Sequence, residues 1–275
     1  KKAIVLVHGA WYISGRLDNL AEPLRKDFLV DAPELETSGP ADVVRNKGFL
    51  NQRCHRAQDD AGHEIVVVAH SAGGITAAEA VAGNPVQERR DKGLDGGVKA
   101  VIFIASLIVF PGGISLDDQA GGVPSKSWYE KMIRNIFDGA LVLNPGADKI
   151  FYNDVDEVKA TEAMEKIECQ STKLFTHKVE HGSLSIQASM TYIFCGKDVA
   201  VSPALLDMFA DGLGDKYTKV YLDCSHTPWM QDDVLPHLIN VVVGAAMAYA
   251  YIRVRVDNIV MVVAVYRLDK ERYLI

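Results

Sequence analysis

The stretch Val66–Gly74, VVVAHSAGG, decides the fold, because it joins a strand to a helix through a very small turn. The β-branched run Ile65–Val68 predicts a buried strand, and the alanine-rich run Ile75–Ala82 predicts a helix. Between them stands Ser71, with an alanine two residues before it and a glycine two residues after it. A sharp strand-to-helix turn that exposes a serine needs such small neighbours. A glycine-containing turn with an incidental serine is the alternative interpretation.

Strands and helices alternate around this stretch in the first half of the chain. Short, wholly apolar runs are typical of strands covered on both faces. The predicted strands are Ala3–Val7, Phe28–Asp31, Ile65–Val68 and Val98–Ala105, and the predicted helices are Leu17–Leu24, Pro40–Gln58 and Ile75–Ala82. This order predicts an α/β fold with a mostly parallel central sheet and helices on both of its faces.

The alternation is lost from about residue 106 to residue 187, where the sequence is rich in glycine and then helical around Val155–Ile167. No strong strand is expected there, so we interpret this part as a lid insertion within one domain of residues 1–248. The alternation then resumes. The predicted strands are Tyr192–Cys195 and Lys219–Leu222, and the predicted helices are Pro203–Ala210 and Asp232–Ala248.

The tail, residues 249–275, has a different pattern. Alternating residues from Ile252 to Val256, the turn signal Asp257-Asn258 and the apolar run Ile259–Tyr266 predict a β-hairpin. A continued helix or an unstructured end is the alternative. An apolar hairpin could also serve as an intermolecular strand in a homodimer.

Composition excludes several classes of protein. The chain has 275 residues and a net charge of −7, which argues against nucleic acid as a partner because phosphate binding needs a basic face. The four cysteines are far apart and form no C-x-x-C pair, so neither a zinc site nor a dithiol site is expected. No apolar run is long enough to span a bilayer, and KKAIVLVHG leads directly into a strand. We therefore expect a cytoplasmic protein with no membrane partner.

The predicted position of Ser71 indicates a nucleophile. The start of a helix offers unpaired N–H groups and a positive dipole end, so the N–H of Ala72 would face negative charge developing beside Ser71. A nucleophilic serine also needs a base and an acid that orients the base. The expected chain order is Ser, acid, His, and it is met by Asp198, which follows the predicted strand Tyr192–Cys195, and by His226, which follows Lys219–Leu222. Asp223 is the rival acid, although it lies at the end of the strand itself.

A second N–H donor for the oxyanion is expected in the loop after the first strand, His8-Gly9-Ala10-Trp11. Ala10 is placed to share this task with Ala72, while the ring of His8 either braces the loop or lines the pocket. The pocket residues suggested by their aromatic or apolar character are His8, Trp11, Trp128, Tyr152 and Trp229.

Four motifs in order, H-G-A-W, A-H-S-A-G-G, G-K-D-x-A-x-x-P and S-H-T-P-W, resemble the α/β-hydrolase superfamily over residues 2 to 246. They are most similar to small members with an H-G-A-W loop, such as the plant methylesterase and hydroxynitrile lyase group and related fungal and bacterial hydrolases. The resemblance implies an eight-stranded sheet, here without its first hairpin. It also implies a lid, the triad Ser71, Asp198 and His226, and an oxyanion hole at Ala10 and Ala72.

The expected activity is hydrolysis of an ester, lactone or similar acyl bond in a small to medium hydrophobic substrate. Lyase, dehydratase or carbon–carbon hydrolase chemistry on the same triad is an alternative, since fold does not fix reaction. Thr227-Pro228 stands where hydroxynitrile lyases carry a lysine, which disfavours cyanohydrin cleavage. A ligand receptor with an inherited triad is the third alternative. The Phe151–Asp154 stretch resembles a tyrosine-asparagine pair of fungal relatives, without an assigned role.

Overall fold

The described strands of the computed structural model form three sheets. The structure describes residues 2–39, 62–110, 112–119, 133–137, 139–256 and 259–266. The described strands are β1 (Lys2–Val7), β2 (Leu29–Asp31), β3 (Ser38–Gly39), β4 (Glu64–His70), β5 (Gly97–Ile104), β6 (Ile133–Phe137), β7 (Ala140–Leu143), β8 (Cys169–Ser171), β9 (Ser189–Cys195), β10 (Tyr217–Leu222), β11 (Ala248–Val256) and β12 (Ile259–Tyr266).

The central sheet has six described strands in the order β10-β9-β5-β4-β1-β2, and each neighbouring pair is parallel. The inner strands β1, β4 and β5 are almost wholly buried, because helices cover both faces of the sheet. This is the α/β fold predicted from the sequence. An eight-stranded sheet without its first hairpin has six strands, and six strands, all of them parallel, are found in the described residues.

Helices fill the crossovers between the parallel strands. The described ones are α1 (Asp18–Leu24), α2 (Gly73–Val81), α3 (Val86–Asp91), α4 (Leu116–Gln119), α5 (Asp148–Phe151), α6 (Glu157–Met164), α7 (Lys173–Thr176), α8 (Pro203–Asp211) and α9 (Leu235–Met247). Helix α9 packs on β1, β4 and β5 and against α1, while α2 packs on β1 and β4. The predicted helix Pro40–Gln58 lies outside the described residues.

The insertion contains strands, so the expectation that it has no strong strand was wrong. Strands β6, β7 and β8 join β3 in an antiparallel sheet of order β3-β8-β7-β6. These strands have between three and five residues, too few for a period to show, and β8 pairs with a distant partner.

The tail pairs β11 with β12 in an antiparallel, two-stranded sheet of its own. The residues expected at its turn, Asp257 and Asn258, lie outside the described part. None of the helices in the described ranges is both long and apolar enough to cross a membrane.

Candidate active site

Ser71 sits between β4 and α2 at the carboxyl end of the central strand. Its φ is +51°, a left-handed backbone conformation that costs a residue with a side chain about 1–3 kcal/mol. The neighbouring β5 end holds this conformation, because the Ser71 N–H donates to the carbonyl of Ile104 at 3.0 Å and its carbonyl accepts from the Leu107 N–H at 3.0 Å. The small turn expected from the sequence is therefore a strained turn held by backbone hydrogen bonds.

The glycines of the turn are needed for close packing. A Cβ added to Gly73 would lie 2.5 Å from the carbonyl oxygen of His8, and one added to Gly9 would lie 2.8 Å from the Cβ of Ser71. Such distances are far inside van der Waals contact, so only glycine lets the loop after β1 touch the turn after β4. The two glycines thus bring the loop that carries Ala10 against Ser71.

His226 and Asp198 form a buried pair at the ends of neighbouring strands. His226 Nδ1 donates to Asp198 Oδ2 at 2.7 Å, and both residues are almost fully buried. The other carboxylate oxygen, Oδ1, accepts from the N–H groups of Ala200 and Val201 at 2.8 and 2.9 Å. In the described part of the chain, His226 Nε2 is buried without a hydrogen-bond partner. The pair therefore leaves one imidazole nitrogen free to accept a proton.

Asp223, the rival acid, lies outside this arrangement. Its side chain is 85% exposed and forms an ion pair with Lys197, Nζ to Oδ2 2.8 Å. The Asp223 side chain lies on the surface, whereas that of Asp198 faces the imidazole of His226. The geometry favours Asp198 as the partner of His226.

His70 precedes Ser71 and has a different role from His226. Its Nε2 lies 2.9 Å from the carbonyl oxygen of His226, so this nitrogen carries the hydrogen and donates. Its ring packs edge-on against Trp229, with centroids 4.6 Å apart. Burial, and then the neighbouring His226, lower the His70 pKa well below its usual value. His70 is therefore a neutral brace for the loop of His226.

The two backbone N–H groups expected to form the oxyanion hole belong to the loop after β1 and to the start of α2. Among the described residues, no acceptor is recorded for the N–H of Ala10 or for that of Ala72. Both residues are buried, at the loop after β1 and at the start of α2. Unpaired N–H groups are rare in protein interiors and are used where a ligand oxygen binds.

His8 braces the loop after β1, which is one of the two roles that the sequence left open for its ring. Its Nε2 accepts from the Leu35 N–H at 3.1 Å, so its Nδ1 carries the hydrogen and donates to the Gly9 carbonyl at 2.9 Å. Both ring nitrogens are thus engaged with backbone. Burial lowers the His8 pKa below its usual value.

Trp11 anchors this loop to the insertion. Its φ is +64°, its backbone N–H donates to Gln170 Oε1 at 3.1 Å, and its indole N–H donates to the carbonyl of Leu141 at 3.2 Å. Gln170 is fully buried and also donates from Nε2 to the Thr37 carbonyl at 2.7 Å. The sequence did not reveal Gln170, because a lone glutamine in an irregular stretch carries no pattern.

Two of the other residues expected in the pocket, Tyr152 and Trp229, are buried beside aromatic rings. Tyr152 is 3% exposed and packs against Tyr12, with ring centroids 6.5 Å apart. Trp229 is also buried, and its ring contacts that of His70. Trp128 lies outside the described residues. Over the ranges that the structure describes, no group of three or more His, Cys, Asp or Glu side chains could hold a metal ion.

Comparisons with known proteins bear on the family and the fold of this chain. One curated relative, "Probable hydrolase R7" of Phoma sp. (strain ATCC 20986 / MF5453), is 26% identical over 211 residues, which cover 74% of this chain and 80% of the relative. A pyrethroid hydrolase structure from Sphingobium faniae JZ-2 superposes with a TM-score of 0.72 at 18% identity, covering 89% of this chain and 97% of that one.

A methylesterase from Arabidopsis superposes with a TM-score of 0.64 at 17% identity, covering 88% of this chain and 99% of that one. At these identities the two structures show a shared fold. The model of the alpha/beta hydrolase family matches residues 4–235, which is most of the chain. The chain belongs to the α/β-hydrolase family and is a hydrolase.

Proposed function

We propose that this hydrolase cleaves an ester, lactone or similar acyl bond with Ser71 as nucleophile, His226 as base and Asp198 as orienting acid. The observation that carries the proposal is the buried His226, bonded through Nδ1 to Asp198 at 2.7 Å with Nε2 unpartnered among the described residues. A buried imidazole nitrogen without a partner is costly for folding, and general-base catalysis gives it a use.

The reaction begins when Ser71 Oγ attacks the substrate carbonyl carbon and His226 Nε2 takes the hydroxyl proton. The electron pair moves to the carbonyl oxygen, where the N–H groups of Ala10 and Ala72 would stabilise the negative charge. The intermediate then collapses, and His226 gives its proton to the departing alkoxide. Water attacks the acyl-enzyme by the same route and releases the carboxylic acid.

Asp198 supports both steps through its charge and its position. Its Oδ1 accepts from two backbone N–H groups, which fixes the carboxylate while Oδ2 faces His226. A fixed carboxylate keeps the imidazole in the tautomer with hydrogen on Nδ1 and stabilises the imidazolium that forms. The proposed chemistry needs no metal or organic cofactor.

The substrate we propose is small to medium in size and largely hydrophobic. Aromatic rings meet beside the turn, since Trp11 lies 6.0 Å from both Phe151 and Phe175, and Phe151 lies 5.8 Å from His226 by ring centroids. Such a wall accommodates apolar groups. Relatives named as a pyrethroid hydrolase and a methylesterase support ester-type substrates.

Kinetics of single variants on a panel of p-nitrophenyl esters and lactones test the proposal. Ser71→Ala should lower kcat by roughly 10⁴- to 10⁶-fold, as triad removals do in serine proteases. Asp198→Asn should lower kcat by about 10⁴-fold, because the imidazole would adopt the wrong tautomer. The matched control, Asp223→Asn, should stay within about twofold, since an exposed ion pair contributes little. Equal losses for the two aspartates would contradict the assignment of Asp198.

A further inference from the structure

One short segment of the insertion touches both loops that carry the proposed acid and base. We call residues 151–154, Phe-Tyr-Asn-Asp, the bridging segment. It begins at the end of α5 and precedes α6, whose N-cap is Asp156. The sequence alone indicates no role for this stretch, whereas its contacts in the structure suggest one.

Asp154 binds the loop of His226 with both carboxylate oxygens. Its Oδ2 accepts from the N–H of Ser225 at 2.8 Å, one residue before His226. Its Oδ1 accepts from Gln231 Nε2 at 2.9 Å, at the far end of the same loop. Hydrogen bonds to an ionised acceptor are stronger than those between neutral groups. The carboxylate therefore clamps the loop on both sides of the histidine.

The bridging segment also reaches the loop of the proposed acid. Asn153 Nδ2 donates to the carbonyl of Lys197 at 2.9 Å, one residue before Asp198. Consecutive residues of the segment thus bind the residues that immediately precede the proposed acid and the proposed base.

Two further hydrogen bonds hold the residues around His226. His70, next to Ser71, donates to the His226 carbonyl at 2.9 Å. The Thr227 hydroxyl donates to the carbonyl of Phe151 at 3.4 Å. Three consecutive residues, 225 to 227, are thereby tied either to the serine turn or to the bridging segment. This leaves His226 little freedom to rotate away from Asp198.

We propose that Asp154 is a positioning residue for His226, and that Asn153 assists by holding the loop of Asp198. The inference rests on the proposed function, because it assumes that His226 acts as the base. A displacement of about 1 Å in a catalytic group can lower turnover by about 10²-fold. Asn153 is exposed, so its contribution is smaller than that of Asp154.

The test compares Asp154→Ala and Asp154→Asn with the control Asp156→Ala, all assayed on an ester that the unmodified chain hydrolyses. Asp154→Ala should lower kcat by about 10- to 100-fold with KM changed less than about threefold, because positioning acts on the chemical step. Asp154→Asn keeps an acceptor for the Ser225 N–H, so its kcat should lie between those of Asp154→Ala and the unmodified chain. Asp156 accepts from Val158 and Lys159 of its own helix, so its variant should keep kcat within about twofold.

Proton NMR supplies a readout that a general loss of stability would not move. The hydrogen that His226 shares with Asp198 should give a strongly downfield signal that is absent from His226→Ala. This signal should persist in Asp156→Ala and disappear or broaden in Asp154→Ala at a temperature where all the variants are folded. Should Asp154→Ala not fold, Asp154→Asn carries the test alone.

The outcomes separate this inference from the proposed function. Undiminished kcat and an intact downfield signal in the Asp154 variants, with Ser71→Ala inactive, would overturn the positioning role alone. Equal losses of kcat in the Asp154 and Asp156 variants would also overturn it, because they would indicate a general structural effect of changes between α5 and α6. Retained turnover in Ser71→Ala would overturn the proposed function itself.

Discussion

His70 and Ser71 are neighbours in the chain and occupy very different states. Ser71 holds a left-handed backbone conformation, while His70 is a buried, neutral imidazole that donates to the His226 carbonyl. His8 is buried in the same way on the other side of the turn. Neither His70 nor His8 is placed as the base, and both stabilise the site through hydrogen bonds to backbone.

These two buried histidines predict acid sensitivity of the fold. Burial lowers the pKa of both residues below the usual value, and that of His70 the more strongly, so between each folded-state pKa and about pH 6.5 the unfolded chain takes up a proton that the folded chain does not bind. Stability is therefore present above that pH and is lost as the pH falls, at about 1.4 kcal/mol per pH unit for each histidine.

Urea unfolding between pH 7.5 and pH 5 measures this slope. His70→Gln, which keeps a donor for the His226 carbonyl, should reduce the slope by about 1.4 kcal/mol per pH unit. His237→Gln is the control, because His237 is exposed in α9. An unchanged slope in His70→Gln would show that His70 does not account for the acid sensitivity.

At the scale of elements, the site depends on how closely the ends of β1, β4 and β5 approach each other. The loop after β1, the turn after β4 and the residues after β5 meet through glycines and backbone hydrogen bonds. Helix α2 begins at Gly73, and this glycine packs directly against the end of β1. The sharp turn and the expected oxyanion hole therefore have the same structural cause.

Gly73→Ala tests this packing. Its new Cβ would meet the backbone oxygens of His8 and Val7 at 2.5 and 2.8 Å, which cannot move without shifting β1. We expect a loss of about 1–3 kcal/mol in the free energy of unfolding, together with a lower kcat. Gly15→Ala is the control, since its Cβ would make an ordinary contact of 3.5 Å with Asp18. Equal stability of the two variants in urea unfolding would refute the packing argument.

The central sheet and the serine turn could be predicted from the sequence for a local reason. Apolar strands such as Ile65–Val68, and the small residues around Ser71, can be recognised from a few consecutive residues. The small sheet of the insertion could not be predicted, because Ser38 and Gln170 meet across 132 positions. The contacts of Asp154 with the loop of His226 were hidden for the same reason, since they join parts of the chain far apart in sequence.

At the scale of the whole molecule, the tail stands apart from the central sheet. Strands β11 and β12 form their own sheet, so a chain ending at Ala248 loses no hydrogen bond of the central sheet. We expect this truncation to keep kcat within about twofold and to change the free energy of unfolding by less than about 1 kcal/mol. A large loss of either quantity would show that the tail is part of the fold.

Sedimentation of the two chain lengths tests the homodimer expected from the apolar tail. A tail strand shared between copies should give a dimer for the full chain and a monomer for the truncated one. The same mass for both lengths would exclude a tail-mediated dimer.

The central claim is that Ser71 is the nucleophile, and labelling with a fluorophosphonate tests it most directly. Mass spectrometry of the labelled chain should find one adduct, mapped by peptide analysis to Ser71, with loss of ester turnover in proportion to labelling. Ser71→Ala should remain unlabelled and inactive. Turnover that continues after complete labelling of Ser71, or an inactivating adduct on another residue, would contradict the account.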